Sequence, residues 1–186
     1  IINKDTGMLN KTDHFAYVIG YPDGTVHPNG QITRAEVATI FFRLLKDEVR
    51  DGAFTTSNSY SDVAYGKWYN NPISTMSALG IITGYPDGTF GPDKTVTRAE
   101  LMAMVNRATG RAPKSTSALL SGMKTWKDNA DTARWYYLDV QEATNSHTYQ
   151  MGKRVETWND KLPQRDWALL ETGWANAYTG NGGEVN

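Results

Sequence analysis

The sequence predicts a mainly α-helical protein built from three helix–loop–helix repeats, the first truncated and the third degenerate. Three observations carry this expectation. Residues 20–36, GYPDGTVHPNGQITRAE, recur as residues 84–100, GYPDGTFGPDKTVTRAE, with eleven of seventeen positions identical and a single offset of 64. Each copy runs into apolar residues at helical spacing: Val37, Ile40, Phe41, Leu44 and Leu45 after the first, Leu101, Met102, Val105 and Ala108 after the second. A worn third copy follows, in which Trp126-Lys127-Asp128-Asn129 resembles Tyr60-Ser61-Asp62-Val63 and Arg134-Trp135-Tyr136 resembles Lys67-Trp68-Tyr69. Internal repetition of this kind marks an architecture in which neighbouring units share a core.

Taken in order, residues 1–12 show no helical stripe and read as an extended lead-in. Residues 13–50 form the first repeat, which lacks a leading helix. Residues 51–59, DGAFTTSNS, read as a linker. The second repeat, 60–109, is the complete one. Its first helix carries Tyr69, Ile73, Met76 and Leu79 on one stripe, with Pro72 in the first turn and Gly80 as the stop. A second linker spans 110–125. The third repeat, 126–178, carries Leu138, Val140, Ala143 and Tyr149 on its helix; it has lost the GYPDGT turn, and Gln164-Arg165-Asp166-Trp167 falls where TRAE would stand, at an offset of 67. Residues 179–186 read as a Gly/Asn-rich tail.

Composition excludes several classes. Nineteen basic residues balance twenty acidic ones, for a net charge of −1, so no basic field is available for nucleic acid or a membrane surface. No apolar run approaches the roughly 20 residues of a membrane span. There are no cysteines, which removes disulfides and thiolate metal sites. The opening IINKDTGMLN has neither a basic nor an apolar leader region, so a secreted parent protein is expected to carry its leader elsewhere.

Within the repeat, most letters have a folding explanation. Thr33 with Glu36 and Thr97 with Glu100 have the spacing of a capping box. Pro-Asp-Gly at 22–24 and 86–88 is a turn: proline presets φ, aspartate bonds its own backbone, and glycine accepts positive φ. The Asp-Gly turn lacks the ligand series of a calcium loop. His14, His27 and His147 share no metal spacing, no nucleophile motif is present, and no paired catalytic carboxylates can be placed. The chain is therefore expected to be no enzyme and to hold no metal and no cofactor. Trp68 and Trp135 begin amphipathic helices and are expected in the core. The letters that folding explains least are Arg34 and Arg98, because a cation in the first helical turn opposes the macrodipole by about 0.3–1 kcal/mol.

GIITGYPDGTFGPDKTVTRAE, preceded by Asp62-Val63 and Trp68-Tyr69, resembles the signature of the S-layer homology domain, and the resemblance covers residues 13–178, strongly in the first two repeats. It implies three units folding together as a pseudo-threefold, mainly helical spindle. It implies non-covalent anchoring of a surface protein outside the cell, in the wall or S-layer of a Gram-positive-type bacterium. The implied partner is a secondary cell wall polysaccharide linked to peptidoglycan, often pyruvylated and held in grooves. The family's ligand-binding Arg maps onto Arg34, Arg98 and Arg165, and its groove lining onto Gly20, Tyr21, Asp23, Gly84, Tyr85 and Asp87. The alternative is a self-assembly module of a surface array, with self-association replacing glycan binding; the eroded third copy motivates it.

Overall fold

The computed structural model describes residues 7–111, 113–153 and 155–179. Residues 1–6 of the expected lead-in and residues 180–186 of the expected tail lie outside that range. In chain order the elements are β1 (Gln31–Thr33), α1 (Arg34–Arg43), α2 (Asp47–Ala53), α3 (Asn70–Ala78), β2 (Thr95–Thr97), α4 (Arg98–Thr109), α5 (Tyr137–Thr144), β3 (His147–Met151), β4 (Glu156–Lys161) and α6 (Trp167–Thr179). With 36% helix and 13% strand the content is mixed, with helix predominant, so the expected mainly α class holds in part.

The strands that change the class are β3 and β4. They pair antiparallel, with Tyr149 opposite Trp158 and Met151 opposite Glu156, and a register shift between His147 and Tyr149. This hairpin stands where the third repeat has lost its turn. Glu156 and Trp158 point inward while Thr157 and Asn159 face water, the alternation of a half-buried strand. Tyr149 therefore sits on β3, not on the preceding helix, which ends at Thr144.

The chain folds into two compact units. Of the described residues, the first gathers 7–9, 33–95 and 166–179; the second gathers 10–32 and 96–165. The first contains α1, α2, α3, α6 and the turn at 84–89, with α1 packed on α3. Its core is the apolar stripe of α1, including Ala38, Ile40 and Phe41, with Ile73, Met76, Ile82 and Phe90. The second contains α4, α5, the hairpin and the turn at 20–25, with α4 packed on α5. Its core joins Leu101, Met102 and Val105 to Val140, Ala143 and Tyr17, whose hydroxyl donates to Asn106 Oδ1 at 2.7 Å. Each unit thus takes its turn from one sequence repeat and its TRAE helix from the other.

The two units are built alike. In the first, Asp62 accepts the N–H groups of Phe90 and Gly91, both at 2.8 Å, and Ser61 N–H donates to Gly88 O. In the second, Asp128 accepts Val26 N–H at 2.9 Å and His27 N–H at 2.8 Å, and Lys127 N–H donates to Gly24 O. The third repeat's opening segment and α5 thereby supply the first turn with what the truncated first repeat lacks. Tyr17 and Val18 N–H both donate to Ala143 O of α5.

Helix α2 extends into the stretch expected to be a linker. Buried Arg50 holds it there: its guanidinium donates to Leu45 O at 2.7 Å and Arg43 O at 3.3 Å, carbonyls left open by the end of α1. The same guanidinium lies 3.8 Å from the ring centre of Trp174 on α6.

Candidate functional site

The GYPDGT turns form identically in both units. Asp23 Oδ1 accepts the Thr25 N–H at 3.0 Å and its hydroxyl at 2.6 Å; Asp87 accepts from Thr89 at the same two distances. Those bonds hold both exposed carboxyls below their ordinary value. Gly24 and Gly88 both take φ of 83°, which only glycine adopts without strain. Gly20 and Gly84 serve a different end. A Cβ on Gly20 would lie 1.9 Å from the Trp126 ring, and one on Gly84 would lie 2.3 Å from the Tyr60 ring. Both glycines are therefore required by close aromatic packing beneath the turn.

Both capping boxes are present. Glu36 N–H donates to Thr33 Oγ1 at 3.2 Å, and Thr33 N–H donates back to Glu36 at 2.8 Å. Thr97 and Glu100 exchange the same pair at 3.3 and 3.2 Å. The bonds from Thr97 lower the carboxyl of Glu100.

Arg34 and Arg98, at the first position of α1 and α4, are 5% and 9% exposed. Arg34 Nε donates to Phe90 O at 2.9 Å and Nη2 donates to Thr83 O at 3.0 Å; its guanidinium lies over the rings of Tyr85 and Phe90. Arg98 Nε donates to Val26 O at 2.9 Å, beside the ring of Tyr21. Neither forms an ion pair among the described residues. Carbonyl oxygens and aromatic faces compensate each buried cation, and no Asp braces it. This leaves Nη1 of Arg34 and both terminal nitrogens of Arg98 without a hydrogen-bond partner among the described residues, a donor set suited to a carboxylate. In the first unit Lys94 Nζ adds a second cation, 3.8 Å from the Tyr85 ring centre. In the second, Tyr21 meets His27 edge-on, and His27 adopts φ of 49° where its counterpart Gly91 has 68°.

The structure does not place Arg165 with the other two. Asp166 takes the capping position of α6, accepting Leu169 N–H at 3.0 Å, so Trp167 occupies the first helical position and Arg165 lies outside the helix. The guanidinium of Arg165 instead sits 3.7 Å from the ring centre of Phe15. The aspartate shifts the correspondence by two residues from the offset of 67, because an Asp caps as well as a Thr. Trp68 and Trp135 are also not core residues: they are 36% and 62% exposed, each edge-on to the tyrosine that follows it.

Two histidines without metal spacing in the sequence come together in the second unit. His14, Glu142, His147 and Glu156 are all buried, with one ligand atom from each within 4.8 Å of all the others. Residues separated by up to 142 positions could be joined only by the fold. The one local signal was an inward-facing glutamate two residues from a tryptophan in a strand-like pattern.

The S-layer homology domain family model matches residues 16–38 and 59–102. Cell surface glycoprotein 1 of Acetivibrio thermocellus is 35% identical over 136 residues, 70% of this chain and 6% of that protein. The Cellulosome-anchoring protein of the same organism is 35% identical over 71% of this chain and 28% of its own length. The Middle cell wall protein of Brevibacillus brevis is 29% identical over 77% of this chain and 14% of its own length. The chain thus spans less than a third of the length of each of these relatives. No solved structure matches it. The duplicated turn and capped helix, the family match over both copies and this set of relatives agree, and the chain belongs to the S-layer homology domain family.

Proposed function

We propose that this chain anchors a surface protein to the bacterial cell wall by binding an anionic, pyruvylated secondary cell wall polysaccharide, with Arg34 and Arg98 gripping its carboxylates. The observation that carries the reading is the repeated guanidinium. In both units an arginine at a helix N-terminus is buried against a tyrosine of the GYPDGT turn, fixed by backbone carbonyls and paired with no carboxylate among the described residues. A helix N-terminus favours an anion, and a pre-oriented guanidinium suits a planar one. Exposed Tyr21, Trp68 and Trp135 offer faces for sugar rings. The names of the relatives, one of them a cellulosome-anchoring protein, fit a module carried by larger surface proteins. Arg165, stacked on Phe15 outside its helix, is not given this role.

Co-sedimentation with purified wall sacculi tests the reading. The chain is expected to sediment with intact sacculi and to stay in solution after chemical removal of the polymer. An Arg34→Ala, Arg98→Ala double variant that remains folded by circular dichroism should lose binding at least tenfold. Undiminished binding of that folded variant, or binding to stripped sacculi, would sink the mechanism.

A further inference from the structure

We propose that His14, Glu142, His147 and Glu156 form a closed, four-coordinate site for a zinc-type divalent transition-metal ion inside the second unit. The four come from the segment before the first turn, from α5, from β3 and from β4, and their side chains are 0–1% exposed. His14 Nδ1 lies 2.7 Å from Glu156 Oε1, 3.3 Å from His147 Nε2 and 3.3 Å from Glu142 Oε1. His147 Nε2 lies 2.9 Å from Glu156 Oε1 and 3.5 Å from Glu142 Oε2. A tetrahedral ion with bonds of 2.0–2.1 Å spaces its ligand atoms about 3.3 Å apart; the contacts among His14 Nδ1, His147 Nε2 and Glu156 Oε1, at 2.7, 2.9 and 3.3 Å, lie near that edge length, and the Glu142 carboxylate meets the two imidazoles through its two oxygens.

Proton bookkeeping points the same way. His147 Nδ1 is 2.9 Å from the Asn145 carbonyl, which can only accept, so Nδ1 carries the hydrogen. In the neutral ring, Nε2 is then a bare lone pair facing a carboxylate oxygen. Two acceptors in contact repel unless a cation stands between them. Glu142 Oε2 is taken by the Trp158 indole N–H at 3.0 Å, while Oε1 accepts no well-formed bond among the described residues. A ligating histidine held through its other nitrogen by a carbonyl, and a carboxylate held by an indole, are the outer-shell contacts that orient metal ligands. Both imidazoles are further clamped by stacking, His14 on Tyr149 at 3.8 Å and His147 on Trp158 at 3.9 Å.

Charge supplies the driving force. Two buried carboxylates face one buried guanidinium, Arg111, whose Nη1 is 4.0 Å from Glu142 Oε1. Buried carboxylates in a dry site need positive charge close by, and a dication held between them supplies it. Two imidazole nitrogens select a zinc-like ion over calcium or magnesium, which take more ligands and only oxygens. With four protein ligands converging and no exposure, the role is structural: the ion ties the hairpin that replaces the third turn to α5 and to the segment entering the first turn. The rival occupant is a proton. Burial pulls the His14 pKa down, yet the carboxylates of Glu142 and Glu156 raise it overall.

The test uses the full chain, freed of metal by a chelator and titrated with cobalt(II) and then zinc(II). One cobalt per chain is expected, with the intense visible absorption of a four-coordinate ion that zinc displaces. The thermal midpoint should rise with zinc and fall back with chelator. Glu156→Gln should abolish the cobalt signal. Trp158→Phe should weaken binding by about 10–100-fold, as loss of an outer-shell partner does. The wild-type titration decides even if a variant fails to fold. No stoichiometric cobalt, or a midpoint that follows pH while ignoring zinc and chelator, overturns the site.

Discussion

Arg34 and Arg98 occupy a position where a cation is disfavoured by the helix dipole, and each is compensated by carbonyls distant in sequence. Arg34 reaches Thr83 and Phe90; Arg98 reaches Val26. No local rule could supply those partners, so the sequence singled out the residue without its bracing. A lysine keeps the charge but lacks a planar fork that can meet two carbonyls. Arg34→Lys is therefore expected to destabilise the fold by about 1–2 kcal/mol in urea denaturation, and Arg98→Lys, with one carbonyl at stake, by less. The turn carboxylates make a second residue-scale prediction. Thr25 and Thr89 hold Asp23 and Asp87 below their ordinary value. A depressed carboxyl contributes stability above its unfolded pKa of about 3.9 and loses it as pH falls through the folded value. Asp87→Asn keeps an acceptor oxygen without the charge. It should weaken the acid dependence of the unfolding midpoint between roughly pH 5 and 2; an unchanged acid profile would contradict the bonding to Thr89.

At the scale of elements, what could be read was whatever depends on near neighbours. The two capping boxes and the start of α1 and α4 follow from four consecutive residues, and both formed as expected. Removing one hydroxyl leaves an N-terminal N–H open, so Thr33→Ala and Thr97→Ala should each cost about 1 kcal/mol by thermal or urea unfolding. The unread elements depend on remote partners. The Gly-containing stretch after residue 50 joins a helix because Arg50 satisfies the carbonyls ending α1. The polar insertion of the third repeat becomes a hairpin because Trp158 has buried partners, donating to Glu142 and stacking on His147. Trp68 and Trp135 do not begin helices as expected: each stands two residues ahead of one, α3 and α5, and is exposed.

At the scale of the molecule, the sequence repeat and the compact unit are different objects. Repetition along the chain runs from turn to TRAE helix, whereas each unit joins a turn to the TRAE helix of the other copy, and the second unit also takes its opening segment from a later one. The aspartates make this testable. Asp128 holds Val26 and His27 across about a hundred positions, while Asp62 holds Phe90 and Gly91 within its own repeat. Replacing either with alanine opens two backbone donors beneath a turn, at a cost of about 1–3 kcal/mol. Hydrogen exchange should then separate the units. Asp128→Ala is expected to strip protection from Val26 and His27 and leave Phe90 and Gly91 slow; Asp62→Ala should do the reverse. If Asp128→Ala instead left the first turn protected, the third repeat would not be completing the first. The degenerate copy, with neither turn nor TRAE of its own, would then have no account in the fold.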